Sequence, residues 1–122
     1  MNMPTQLQAY AAAQALVDAL DRRDTDTLQQ GFCISDAVLE EVYQALDDSF
    51  DPGARLSLAP VALAFAERGG QRRFIDLYQQ NDQAVALDCV LFADGQPSET
   101  AVYLALHQVD GQWLAHYKYI GH

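Results

Sequence analysis

The plainest pattern in the chain is an alternation of apolar and polar residues with period two over its last third, Ala84 to Ile120. Side chains along a strand point to opposite faces in turn, so this pattern predicts strands with two different sides. Val109-Asp110-Gly111-Gln112 divides the stretch. Asp-Gly supplies the two positive-φ residues of a type I′ hairpin turn. That turn fixes a register: Gln108 opposite Trp113, Leu106 opposite Ala115, Leu104 opposite Tyr117 and Val102 opposite Tyr119 on one side. The other side has His107 with Leu114, Ala105 with His116, and Tyr103 with Lys118. A preceding strand, Ala84 to Phe92, carries the row Val85, Leu87, Cys89 and Leu91. Setting Leu87 opposite Leu104 keeps the apolar rows together, whereas a slip of one residue would mix the faces. It leaves a six-residue loop, residues 93–98. The expected buried face is Val85, Leu87, Cys89, Leu91, Val102, Leu104, Leu106, Trp113, Ala115, Tyr117 and Tyr119. Asp88, Tyr103 and Lys118 are expected side by side on the opposite face.

The first half of the chain changes period. Leu7, Tyr10, Ala13, Val17 and Leu20 recur at three and four, which predicts a helix from Thr5 to Arg22 with Asp18 and Asp21 facing outward. Asp24 reads as the cap of a short helix, Thr25 to Gln30, stopped by Gly31. Ser35 or Asp36 caps a third helix to about Ser49, with Val38, Leu39, Val42, Tyr43, Leu46 and Phe50 as its stripe. Asp51-Pro52-Gly53 ends it. Asp47, Asp48 and Asp51 crowd the end where the helix dipole disfavours negative charge. Leu56 and Leu58 alternate like a short strand, and Pro60 then opens an irregular or helical turn. Arg72 to Gln80 reads as a further strand. A short turn at Asn81-Asp82-Gln83 would put Ile75 and Leu77 on the buried face and Asp76 beside Asp88.

These elements predict one α+β domain over residues 1–122, with N-terminal helices on one face of a curved antiparallel sheet of four to five strands. A chain of 122 residues buries enough surface for a core without metal or disulfide staples. Cys33 and Cys89 lack metal-ligand spacing, and no secretory leader or membrane-length apolar run is visible. The expectation is a cytoplasmic protein with free thiols.

Charge sharpens this picture. The formal net charge is −10. Residues 1–51 hold ten carboxylates against two arginines, and residues 52–122 hold seven carboxylates against four arginines and one lysine. Such a surface repels phosphate backbones and argues against nucleic-acid binding. Its simplest role is solubility; it would also attract a cationic partner.

Helices first, then an antiparallel sheet bearing Leu91-Phe92-Ala93-Asp94-Gly95-Gln96-Pro97-Ser98 and Asp110-Gly111-Gln112-Trp113, resembles the cystatin-like or NTF2-like superfamily. Small uncharacterised bacterial families there look similar. The resemblance implies the fold. It spans ligand binders, isomerases, dehydratases and non-catalytic dimers, so it leaves the activity open.

The expected buried face holds no Asp, Glu, His, Lys or Arg, and general acid–base catalysis needs such a group within reach of substrate. Tyr117 and Tyr119 there read as core packing. The opposite face is more chemical: Asp88 as base, Lys118 as electrostatic stabiliser and His107 or His116 as proton shuttle are conceivable roles, and an ordinary cross-strand charge pair is the simpler one. His107, His116 and His122 show no metal-ligand spacing, so no metal or cofactor is expected. An apolar patch rimmed by charge marks interfaces. The leading expectation is therefore a non-catalytic protein-binding module. Asp88, Phe92, Tyr103, His107, His116, Lys118 and Ile120 would form its interface with a second copy or a basic partner, as in a toxin-neutralising immunity-type protein. The alternative is a small-molecule binder with a pocket lined by Trp113, Tyr117 and Tyr119, and an enzyme comes third.

Overall fold

The computed structural model describes residues 3–80 and 84–121. The expected turn at Asn81-Asp82-Gln83 and the side chain of His122 lie outside the described residues. Three helices come first: α1, Gln6–Arg22; α2, Thr25–Phe32; and α3, Asp36–Ser49. A short strand β1, Leu56–Ser57, and one helical turn α4, Val61–Ala64, follow. The sheet is completed by β2, Ile75–Gln79; β3, Val85–Ala93; β4, Gln96–Val109; and β5, Gln112–Gly121. All pairings are antiparallel. β4 lies between β3 and β5, while β1 and β2 share the free edge of β3. The helices pack on one face of this curled sheet, as the hydrophobic pattern predicts.

The helix starts are built as the sequence implies. Thr5 and Gln8 form a reciprocal capping box, with bonds of 2.8 and 3.0 Å. Asp24 and Ser35 accept from the backbone amides of Thr27 and Val38. The α1 stripe is rotated from the expected one. Leu7 is 69% exposed, and Ala9, Ala13, Leu16, Val17 and Leu20 form the buried side. The small alanines let α1 lie close to the sheet, and Leu16, on the side of the helix opposite Leu7, joins the core.

That rotation also turns Asp21 inward. Its carboxylate accepts from the Leu56 amide at 2.7 Å and from the Arg55 guanidinium at 2.8 Å. Arg55 and the Leu56 amide hold the Asp21 carboxyl below the ordinary range, against the opposing effect of burial. One carboxylate thus ties the end of α1 to β1. The acidic end of α3 is also relieved: Asp47 pairs with Arg23, and Asp48 accepts from Gln44 at 2.8 Å.

Asp110 and Gly111 have φ of 50° and 80°, the expected type I′ turn, and the pairs from Val109–Gln112 to Leu104–Tyr117 form as read. Leu87 lies opposite Leu104 and Asp76 opposite Asp88, also as read. Two bulges overturn the rest of the register. The first lies between Val90 and Phe92. It lets the hairpin run on to a two-residue turn at Asp94-Gly95, with φ of 51° and 81°, in place of the six-residue loop. Ser98 satisfies this bulge, donating to the Leu91 carbonyl at 2.6 Å and accepting from the Thr100 amide at 3.1 Å. The second bulge inserts Lys118. Tyr103 therefore faces Tyr119, and Val102 faces Ile120. One extra residue exchanges the faces of everything beyond it, so Tyr119 turns outward and Ile120 inward. α2 also runs through Gly31 and stops at Cys33, which takes the left-handed conformation at φ 60°.

Candidate functional site on the outer sheet face

Away from the helices, neighbouring strands bring Asp76, Asp88, Tyr103 and Tyr119 into one transverse row. Tyr78, two residues along β2 from Asp76, donates to the Asp88 carboxylate at 3.2 Å. Arg72 donates to the Tyr103 hydroxyl at 2.8 Å and lies over its ring. Tyr103 and Tyr119 stack with centroids 4.3 Å apart and planes 12° from parallel. Lys118 stands on its bulge at the rim. Of these groups, Tyr78, Asp88, Tyr103, Lys118 and Tyr119 line an open groove of about 380 Å³.

Burial raises the carboxyl pKa of Asp88 above its ordinary value. The Tyr78 hydroxyl and Arg72 oppose the shift, and the facing Asp76 charge reinforces it. Tyr78 and Tyr119 are raised as well, first by desolvation and then by neighbouring groups including Asp88. An acid with a raised pKa in a groove is a recurring feature of functional sites, and ion-pair networks produce it too. The site can present carboxyl, phenol and ammonium groups to a bound molecule.

His107 and His116 lie farther along the same face, with ring centroids 4.7 Å apart. Cys33 reaches His116 across the edge of β5, with Sγ to Nε2 at 3.7 Å. Among the described residues, no three His, Cys, Asp or Glu side chains are grouped to hold a metal ion.

The interface residues named from sequence divide into two groups. Asp88, Tyr103, His107, His116 and Lys118 share the outer face or its rim. Phe92 is buried in an edge-on contact with Phe74 at 5.0 Å, which Arg68 covers, and Ile120 packs on the core beyond the bulge. The aromatic pocket is divided as well. Trp113 borders a groove between α1 and the Gly111-Gln112 turn, Tyr117 is half-buried on the inner side, and Tyr119 is outside. Burial pushes the Tyr117 phenol up to about 12. Tyr78 and Arg72 are additions that sequence reading missed. Tyr78 was signalled by its two-residue spacing from Asp76, whereas Arg72 enters through an irregular approach to β2.

Comparisons of the chain with protein-family models, curated proteins and solved structures found no match. Among the described residues, no helix is long and apolar enough to cross a membrane.

Proposed function

We propose that the protein is a non-catalytic binding module of the cystatin-like or NTF2-like kind, whose outer sheet face receives a basic protein. One observation carries this reading. Tyr78, Val109, Leu114 and Tyr119 are 42%, 50%, 45% and 51% exposed, and all four lie on the face opposite the helices. Exposed apolar area gathered on one sheet face favours an interface. Tyrosines give large contact area at low entropic cost.

Charge selects the partner. A second copy would bring −10 against −10, whereas a cationic protein is attracted and its encounter accelerated. A toxin-neutralising immunity-type protein would work this way. Affinity capture from the native lysate at low and high salt tests it, using the wild type and a Tyr78→Ala/Leu114→Ala/Tyr119→Ala variant. The expected result is one stoichiometric basic partner, released by salt and absent with the variant. Capture unchanged by the variant would remove the outer face from the account. A salt-stable dimer of the wild type alone, lost in the variant, would assign the face to self-association.

A second reading rests on the groove itself. Its volume of about 380 Å³ and its Tyr103–Tyr119 stack suit a small planar ligand. Thermal-shift screening separates the two readings: a ligand whose stabilising effect disappears in Tyr119→Ala would favour the groove.

A further inference from the structure

The linkage between α2 and α3 places Cys33 against His116 of β5, a pair with chemistry of its own beside the docking face. Cys33 is exposed, and its Sγ lies within sulfur hydrogen-bonding distance of His116 Nε2, although 83 residues separate them. Its backbone is left-handed, at φ 60° and ψ 38°. Glycine serves such a helix end at lower cost, and Gly31 stands only two residues earlier, inside the helix. A cysteine in a conformation that favours glycine, placed against an imidazole, is a nucleophile–base arrangement.

We propose that Cys33 is a thiol-modification site, at which His116 accepts the thiol proton and the sulfur attacks a low-molecular-weight disulfide. The Sγ proton passes to Nε2. Sγ forms a bond to one sulfur of the disulfide, whose S–S bond breaks. The departing thiolate takes the proton back from His116. One disulfide is consumed and one mixed disulfide is formed, so the exchange needs no further oxidant.

The surroundings suit each role. Burial, then His107 and Lys118, lower the His116 pKa, which favours the unprotonated ring that a proton acceptor needs. The tautomer with its proton on Nδ1 leaves Nε2 for the thiol. Cys89 is the opposite case. It is fully buried, and desolvation together with the Asp88 charge pushes its thiol far up. The folded chain therefore presents one competent sulfur and carries its own inert control.

An ordinary thiol is only about 3% ionised at neutral pH, so complete ionisation could raise its rate by at most roughly 30-fold. Reduced nucleophilicity at a lower pKa brings the expected gain to about tenfold. The test exposes the folded full chain to oxidised glutathione at pH 7 and follows intact mass, with peptide mapping of the adduct. Wild type should gain one glutathione, on Cys33, about tenfold faster than the same residue in the urea-unfolded chain. Cys33→Ser should gain none while folded. His116→Gln, checked by circular dichroism for an intact fold, should fall to the unfolded-chain rate, and added imidazole should restore part of the rate in His116→Ala. The proposal is overturned if folded Cys33 reacts no faster than the unfolded thiol, if Cys89 takes the adduct in the folded chain, or if folded His116→Gln keeps the wild-type rate. None of these results bears on the docking face.

Discussion

The two faces of the same sheet follow different rules. The helix-facing side is aliphatic, with Leu87, Leu91, Leu104 and Leu106 essentially removed from solvent. At its edge by β1 lies Asp21, where a carboxylate is met by donors and its pKa falls. The outer side is aromatic and mixed in charge. There Asp88 lies opposite another carboxylate and its pKa rises. Both are aspartates beside the sheet, one at the end of α1 and one on β3. Donors make the first a clamp. Desolvation and a facing like charge make the second a liability for stability, which a recognition surface can carry.

The largest test of this contrast is Leu104→Ala. It should cost about 2–5 kcal/mol, because a buried leucine leaves a cavity that its neighbours fill only in part. Urea unfolding measures the loss. Next is Asp21→Ala, expected to cost about 2 kcal/mol from the Leu56 amide left without its charged acceptor. The ion pair adds less: the Asp21 side chain is 8% exposed but the Arg55 side chain is 78% exposed, so solvent screens their attraction.

The two carboxylates should also separate with pH. The folded pKa of Asp21 lies below its unfolded value, so its contribution is present above about pH 3.9 and is lost as pH falls through the folded value. The folded pKa of Asp88 is raised, so its ionisation weakens the fold as pH rises from that same range through the raised value. Asp21→Asn should therefore flatten the acid limb of the stability curve. Asp88→Asn should stabilise by about 0.5 kcal/mol at neutral pH after solvent screening, and by nothing in acid. Unfolding curves from pH 3 to 8 would show whether the two variants respond alike, which would break the comparison. The smallest stability effect belongs to Tyr78→Ala with Tyr119→Ala. Their thermal midpoint should stay near that of wild type while partner capture is lost.

Much of this was legible in sequence for local reasons. Asp110-Gly111 set the hairpin register, and the Leu87 and Leu104 rows set the next pairing, so the outward placement of Asp88 and Tyr103 followed. Asp76 beside Asp88 followed from the same alternation in β2. The bulges were not legible. Nothing in Tyr117-Lys118-Tyr119 marks an inserted residue, yet it turns Tyr119 outward and Ile120 inward. The first bulge likewise depends on Ser98 meeting the Leu91 carbonyl, a tertiary contact. Leu7 illustrates a third limit: α1 has two overlapping apolar stripes, and the sheet chose the one containing Leu16. The approach of Cys33 to His116 joins a helix end to the last strand, which no local pattern encodes.

The central claim, that the outer face recognises a partner while the inner face only holds the fold, is tested most directly by oxidative footprinting of the captured complex against the free protein. Tyr78, Leu114 and Tyr119 should lose reactivity in the complex, with Trp113 and the exposed residues of α3 unchanged. Unchanged reactivity at those three residues, with protection confined to α2 and α3, would contradict it and make the acidic helices the binding surface.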